Sequence, residues 1–276
     1  MNIPIVVSVA PNGSSKTKID HQRLPMLPEE LARDAKECKD AGATLIHVHV
    51  RNNEGKHTLD IAPYKEAIAA IKETVGDQMI IQVTSEAVGI YSAEEQMAMI
   101  EKLKPEAVSI ALKELIPEDS DENKAQDFLR WVLSEKISPQ YVLYSAQELQ
   151  RFYTLKARGV IPGDKQFLLF VLGRYSANKE SHPEDLLPFI NIHNLNKTDN
   201  SVKWAVCAFG KAEIECVLKA ASLGGHIRIG FENNLYLQDG SLAKNNAELI
   251  SQFRSLYPAE NRCISTIEEA KELVLC

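Results

Sequence analysis

Ala43-Thr44-Leu45-Ile46-His47-Val48-His49-Val50-Arg51 is a run of β-branched and apolar residues interrupted by two histidines. It reads as a β-strand. Side chains alternate between the faces of a strand, so His47 and His49 share one face with Arg51 beyond them at the rim. Val48 and Val50 take the other face. Upstream, residues 28–40 place Leu31, Ala35 and Cys38 at helical spacing, with Glu29 and Glu30 in the first turn and Gly42 closing the segment. Downstream, Asn52-Asn53-Glu54-Gly55 makes a polar turn and a helix follows over 63–75. A strand set between helices in this way is the unit of a parallel α/β sheet.

The same alternation continues in both directions. A first apolar strand spans 4–10 and ends at Pro11-Asn12-Gly13. After 63–75 come strands at 78–84, 107–112, 140–144, 166–172, 202–207 and 226–229. Helices fall at 92–103, where Ser92 and Glu95 form a capping box, and at 123–135, 146–158, 182–195, 211–222 and 242–256. A last short helix covers 266–274. Eight strands, each followed by a helix, in 276 residues imply an α/β fold of the closed (β/α)8 TIM-barrel type. An open doubly wound sheet is the alternative. Without a linker or low-complexity tract, residues 1–276 are expected to form one domain.

Hydrophobic residues make up 45 % of the chain, enough to fill a sizeable core. The 31 basic and 38 acidic residues leave a formal net charge of −7. That balance gives no support for a nucleic-acid partner, which favours a basic face. An anionic small molecule remains compatible with it. The five cysteines, Cys38, Cys207, Cys216, Cys263 and Cys276, form no CxxC pair and read as reduced thiols. The first residues carry no basic leader, and their apolar run is too short for a signal peptide or a membrane span. A cytoplasmic, membrane-free protein is expected. The absence of P-loop, GxGxxG and GxSxG motifs argues against nucleoside triphosphates, classical dinucleotides and a serine-triad hydrolase.

Barrel chemistry sits at the C-terminal ends of the strands. The eighth strand ends in Arg228-Ile229-Gly230-Phe231-Glu232-Asn233-Asn234. Closure makes strands one, two and eight neighbours, so Glu232 comes within reach of His47 and His49. Two histidines and one carboxylate with an open position suit a catalytic zinc. A non-haem iron centre uses the same ligand types, and the plainer alternative is two ordinary strand histidines. Ser14, Ser15, Lys16 and Lys18 follow the first strand and are expected at the mouth. His226, at the opposite end of the barrel, reads as structural. His21, His57, His182 and His193 read as ordinary loop or helix-end residues.

The sequence resembles the β-keto acid cleavage enzymes, the family of 3-keto-5-aminohexanoate cleavage enzyme. The matching pieces span most of the chain: Ala10 to Gly13, Leu24 to Glu30, Ala41 to Arg51, Lys104-Pro105-Glu106, Trp204 with Gly210, Gly224 to Leu235, and Leu242-Ala243 with Asn246 to Leu249. The resemblance implies a barrel that assembles as a homotetramer. It also implies zinc held by His47, His49 and Glu232. The implied reaction condenses a β-keto acid with acetyl-CoA and releases acetoacetate and a new acyl-CoA. Arg228 would then steady charge developing on oxygen, with Thr84 and Ser109 as hydroxyl contacts. The loop with Ser14 and Ser15, and Arg51 at the rim, would contact the substrate. Arg174 and Lys211 would take the CoA phosphates.

Three departures from the family pattern cluster at the site. Asn233 stands where the family carries an aspartate held to be the base, and an amide is not a useful base at neutral pH. Lys113-Glu114-Leu115-Ile116-Pro117 replaces a Gly-Ser loop after the fourth strand. The fifth strand, Gln140-Tyr141-Val142-Leu143-Tyr144, lacks the usual acids. Glu86 and Glu114 are the candidate replacement bases, and Asn233 is retained among the catalytic positions. The expected enzyme is a metal-dependent acyltransferase or lyase. The alternatives are another metal-dependent lyase or hydrolase, or a weakened member that binds metal and a small acid.

Overall fold

In a computed structural model, which describes residues 3–176, 178–196, 201–258 and 262–276, eight parallel strands close into a barrel in chain order. They are β1 Val7–Val9, β2 Leu45–Val48, β3 Ile80–Thr84, β4 Ala107–Ala111, β5 Ser138–Leu143, β6 Gln166–Leu172, β7 Val202–Ala208 and β8 His226–Ile229. The helices around them are α1 Pro28–Ala41, α2 Ile61–Val75, α3 Ala93–Leu103, α4 Leu112–Leu115, α5 Glu122–Ser134, α6 Ala146–Ala157, α7 Leu187–Asn196, α8 Glu213–Ser222, α9 Asn246–Leu256 and α10 Ile267–Val274. The (β/α)8 expectation therefore holds, and closure excludes the open sheet.

The strands are buried on both faces, as parallel strands covered by helices must be. Val9, Ile46, Val48, Ile81, Val83 and Val108 belong to the core between sheet and helices. The opposite parity fills the barrel interior, with Leu45, Ile80, Ala107, Leu169 and Ala205 among its lower layers. The last helix closes this interior from below. Ala270 and Val274 of α10 belong to the same buried cluster as Val6, Leu45 and Ile80, and the Cys276 N–H donates to Ser138 Oγ over 2.8 Å. His226 is also structural: its Nδ1 accepts the Val6 N–H over 3.0 Å.

Several element bounds differ from the sequence-based expectation: the α-helices expected over 182–195 and 242–256 begin at Leu187 and Asn246. The first strand pairs only over Val7–Val9, and Ile5 instead bridges Ile264 on the way into α10. The segment after β4 is a one-turn helix rather than a loop, because Leu112 and Leu115 bury themselves one turn apart. Gly230 shows why the chain leaves β8 as it does. A Cβ there would lie 2.3 Å from the Ala10 carbonyl oxygen, so only glycine lets the backbone pass β1 at this height.

A buried network fixes α1 and α9 to the upper rim. Asn246 Nδ2 donates to Asp34 Oδ2 over 2.6 Å and to the Pro11 carbonyl over 3.2 Å, while its Oδ1 accepts the Phe231 N–H. The second Asp34 oxygen has no partner. Burial pushes the Asp34 carboxyl up to about 7 from its usual 3.8. A raised carboxyl favours the folded state below its unfolded pKa, and that contribution is lost as pH rises through the folded one. Wild-type stability should therefore fall relative to Asp34→Asn between about pH 4 and 7, by at most about 1.4 kcal/mol per pH unit. Urea titrations of both proteins across that range check this. Parallel profiles would mean that Asp34 titrates normally.

Candidate active site

The ends of β2 and β8 bring three candidate ligand atoms together. His47 Nε2 and His49 Nε2 are 3.2 Å apart. Glu232 Oε2 lies 3.6 Å from the first and 3.3 Å from the second. All three side chains are buried or nearly so.

The hydrogen bonds behind these atoms fix where the protons are. His47 Nδ1 faces Gln82 Oε1 at 2.8 Å, and Gln82 is itself oriented by donating to Gln140 Oε1 over 3.1 Å. Nδ1 must therefore carry the hydrogen, leaving a lone pair on Nε2. His57 Nε2 faces the Glu86 carbonyl at 3.0 Å, so it donates and leaves its Nδ1 as an acceptor. That acceptor faces His49 Nδ1 at 3.5 Å, which places the His49 hydrogen there and a lone pair on its Nε2. Two lone pairs and a carboxylate oxygen without a hydrogen-bond donor thus converge on one point. Three acceptors with no proton among them fit a divalent cation and little else.

The electrostatics agree. Burial pushes the His47 and His57 imidazoles down to about 4 and drives His49 well below its usual 6.5, so all three are neutral ligands or supports at pH 7. Burial pushes the Glu232 carboxyl up, but the Arg228 charge pulls it down, and Glu232 is held well below 4.5. Arg228 Nη2 donates to the other Glu232 oxygen over 2.9 Å. Gly13 packs on the same carboxylate. It sits at φ +65°, and a Cβ there would lie 2.6 Å from Glu232 Cγ. Gly13→Ala should displace Glu232 and weaken the binding of a divalent cation at these three residues by about tenfold or more with the barrel intact. Competition against a chromogenic chelator measures this, and unchanged affinity would show that Glu232 does not need this packing.

These ligands face a central cavity of about 400 Å³, its open mouth included. Eight of the residues singled out from sequence line it: His47, His49, Glu232, Arg228, Thr84, Ser109, Glu86 and Arg174. Ser109 Oγ donates to Thr84 Oγ1 over 3.4 Å, and Thr84 Oγ1 also accepts the Glu86 N–H over 3.0 Å. Glu86 carries one oxygen 3.1 Å from Arg174 Nη2 and the other 3.9 Å from His49 Nδ1. Burial, with the nearby charge of Glu232, pushes the Glu86 carboxyl up, while Arg174 and Ser14 pull it down.

The other expected residues lie elsewhere. Arg51 points away from the cavity, donating to the Gly13 and Lys16 carbonyls. Ser14 reaches the cavity edge through Glu86, whereas Ser15 is exposed. Lys211 is exposed, with its ammonium 4.9 Å from the centre of the Tyr236 ring. Lys16 donates to the Glu232 carbonyl over 2.6 Å. Asn233 is 4 % exposed and lies outside the cavity lining, with neither amide atom partnered. Glu114 also lies outside it, because its carboxylate accepts the Ala87 N–H over 2.9 Å.

Sequence reasoning missed the remaining wall: Ala111, Val142, Tyr144, Val171 and Phe209. Strand parity carries a signal for it. Ala111 is two residues past Ser109, and Val142 is two past Gln140, so each inherits the inward face. His57, read as an ordinary loop residue, instead orients His49.

The beta-keto acid cleavage enzyme family matches residues 4–275. The chain belongs to this family. Relatives bear it out over the full length. A 3-keto-5-aminohexanoate cleavage enzyme of Acetoanaerobium sticklandii is 29 % identical, covering 98 % of this chain and 97 % of its own. A 3-oxoadipate:acetyl-CoA acetyltransferase of Cupriavidus necator is 26 % identical, covering 99 % and 95 %. Among solved structures, apo ObcA superposes with a TM-score of 0.72 at 15 % identity. It covers 92 % of this chain, which spans 66 % of ObcA, and the likeness concerns the fold alone. As a beta-keto acid cleavage enzyme, the chain is an enzyme acting on β-keto acids. Among the described residues no helix is long and apolar enough to cross a membrane.

Proposed function

We propose that this protein is a zinc-dependent β-keto acid:acetyl-CoA acyltransferase, releasing acetoacetate and a new acyl-CoA. The observation that carries the reading is the convergence of two imidazole lone pairs and an unpartnered carboxylate oxygen on one point of a cavity that also holds Glu86. A zinc ion held by His47, His49 and Glu232 would polarise the substrate ketone and offset the substrate carboxylate.

Glu86 takes a proton from C2 of the β-keto acid, and the C–H electron pair remains as an enolate. That carbon attacks the acetyl-CoA carbonyl, the carbon–sulfur bond breaks, and CoA leaves as a thiolate. The thiolate then attacks the ketone that carries the substrate side chain. The bond from that ketone to C2 breaks, its electrons return to C2, and Glu86 gives the proton back. Acetoacetate and the new acyl-CoA result. Arg228, Thr84 and Ser109 offer donors to oxygens that gain charge along the way. Arg174 holds Glu86 in place, so of the two cations expected at the CoA phosphates, exposed Lys211 is the freer one.

Glu86 supports this reading over a member that only binds, because it puts a carboxylate in the cavity where Asn233 cannot act. The homotetramer and the cytoplasmic location expected from sequence go with the same reading. Acetyl-CoA carrying ¹³C in both acetyl carbons tests the chemistry. The label should appear at C3 and C4 of acetoacetate, and unlabelled acetoacetate would rule the condensation out.

A further inference from the structure

The central cavity has two unlike walls. The metal-facing wall carries its charge in matched pairs, Arg228 with Glu232 at 2.9 Å and Arg174 with Glu86 at 3.1 Å. The opposite wall is Ala111, Val142, Val171 and Phe209, set at the ends of β4, β5 and β6 and just after β7, with Tyr144 just past the end of β5. The first four have no polar side-chain atom and are no more than 8 % exposed, so the Tyr144 hydroxyl is the one polar side-chain group on this wall. Arg174 lies 5.2 Å from the centre of the Phe209 ring, but its charge is matched by Glu86. Lys113 is held between the Tyr144 and Tyr175 rings at 4.1 and 4.0 Å, with Glu148 at 3.8 Å. The cavity is also small, about 400 Å³ with its open mouth included.

From this the geometry points to a substrate class, resting on the reading above: β-keto acids whose side chain is short, uncharged and apolar. With carboxylate and ketone at the metal-facing wall, the side chain projects onto Ala111, Val142, Val171 and Phe209. A propyl group there exchanges water for hydrocarbon contacts. A terminal carboxylate or ammonium would be buried against the same wall without an opposite charge, which is costly. The small space limits the length to a few carbons. Val142 therefore acts as a specificity-determining residue.

Calorimetric titration of the zinc-loaded protein without acetyl-CoA tests this apart from turnover. The probes are 3-oxohexanoate, 3-oxoadipate and 5-amino-3-oxohexanoate, with 3-oxododecanoate as the length control. 3-Oxohexanoate should bind at least about tenfold more tightly than the other three. Val142→Leu, a conservative change, should shift the preference from 3-oxohexanoate toward the shorter 3-oxobutanoate. A charged acid that binds as tightly as 3-oxohexanoate would overturn the inference. Tight binding of 3-oxohexanoate without acyl-CoA formation, once acetyl-CoA is added, would uphold the substrate class and sink the proposed reaction. Faster turnover of 3-oxoadipate would do the reverse, and failure of all four acids to bind would sink both.

Discussion

Glu232→Gln should cost the protein its metal while leaving the barrel folded. In the proposed zinc centre the carboxylate supplies one of three ligand atoms, and it is the only charged one. An amide at that place offers a weaker donor and leaves a dication in a buried site without its anion. Zinc affinity should fall at least about 100-fold, beyond the loss typical of altering a residue that merely supports a ligand. The amide oxygen can still accept the Arg228 hydrogen bond, so the buried guanidinium keeps a partner and the fold survives. Metal content by mass spectrometry and far-ultraviolet circular dichroism separate the two effects. Stoichiometric zinc in the variant would remove Glu232 from the centre.

Glu86→Gln should lower acyl-CoA formation by about 10²- to 10⁴-fold, the range for loss of a general base. The glutamine can still accept from Arg174, and the His57 contact is to the Glu86 backbone, so the His57–His49 chain stays in register. Zinc content should not change. The exchange of C2 protons of a β-keto acid into heavy water, followed without acetyl-CoA, should slow in parallel. Normal exchange with slow turnover would place Glu86 outside the proton transfer. Asn233→Asp is not expected to compensate, because Asn233 is buried away from the cavity with no partner for a charge.

Much of this arrangement is legible in the chain because local periodicity and barrel closure carry it. Leu31, Ala35 and Cys38 mark a helix. The alternation through Val48 and Val50 puts His47 and His49 on the opposite face, turned inward. Closure, which follows from counting eight βα units, is what brings Glu232 to them. The rest depends on contacts between distant segments that no local pattern records. His57 becomes a support for His49 only because the Glu86 carbonyl lies behind it. Glu114, one residue from Lys113, turns aside to the Ala87 N–H once Leu112 and Leu115 bury themselves as a helical turn. The segment 266–274 reads as a helix, but nothing in its pattern says that Ala270 and Val274 close the barrel floor.

The most direct test is the formation of new acyl-CoA by purified, zinc-loaded protein given acetyl-CoA and a panel of β-keto acids, followed by mass spectrometry. The expected result is an acyl-CoA bearing the substrate's side chain together with equimolar acetoacetate, both lost on chelation and restored by zinc. Absence of any acyl-CoA across the panel, with stoichiometric zinc in the protein, would contradict the proposed reaction.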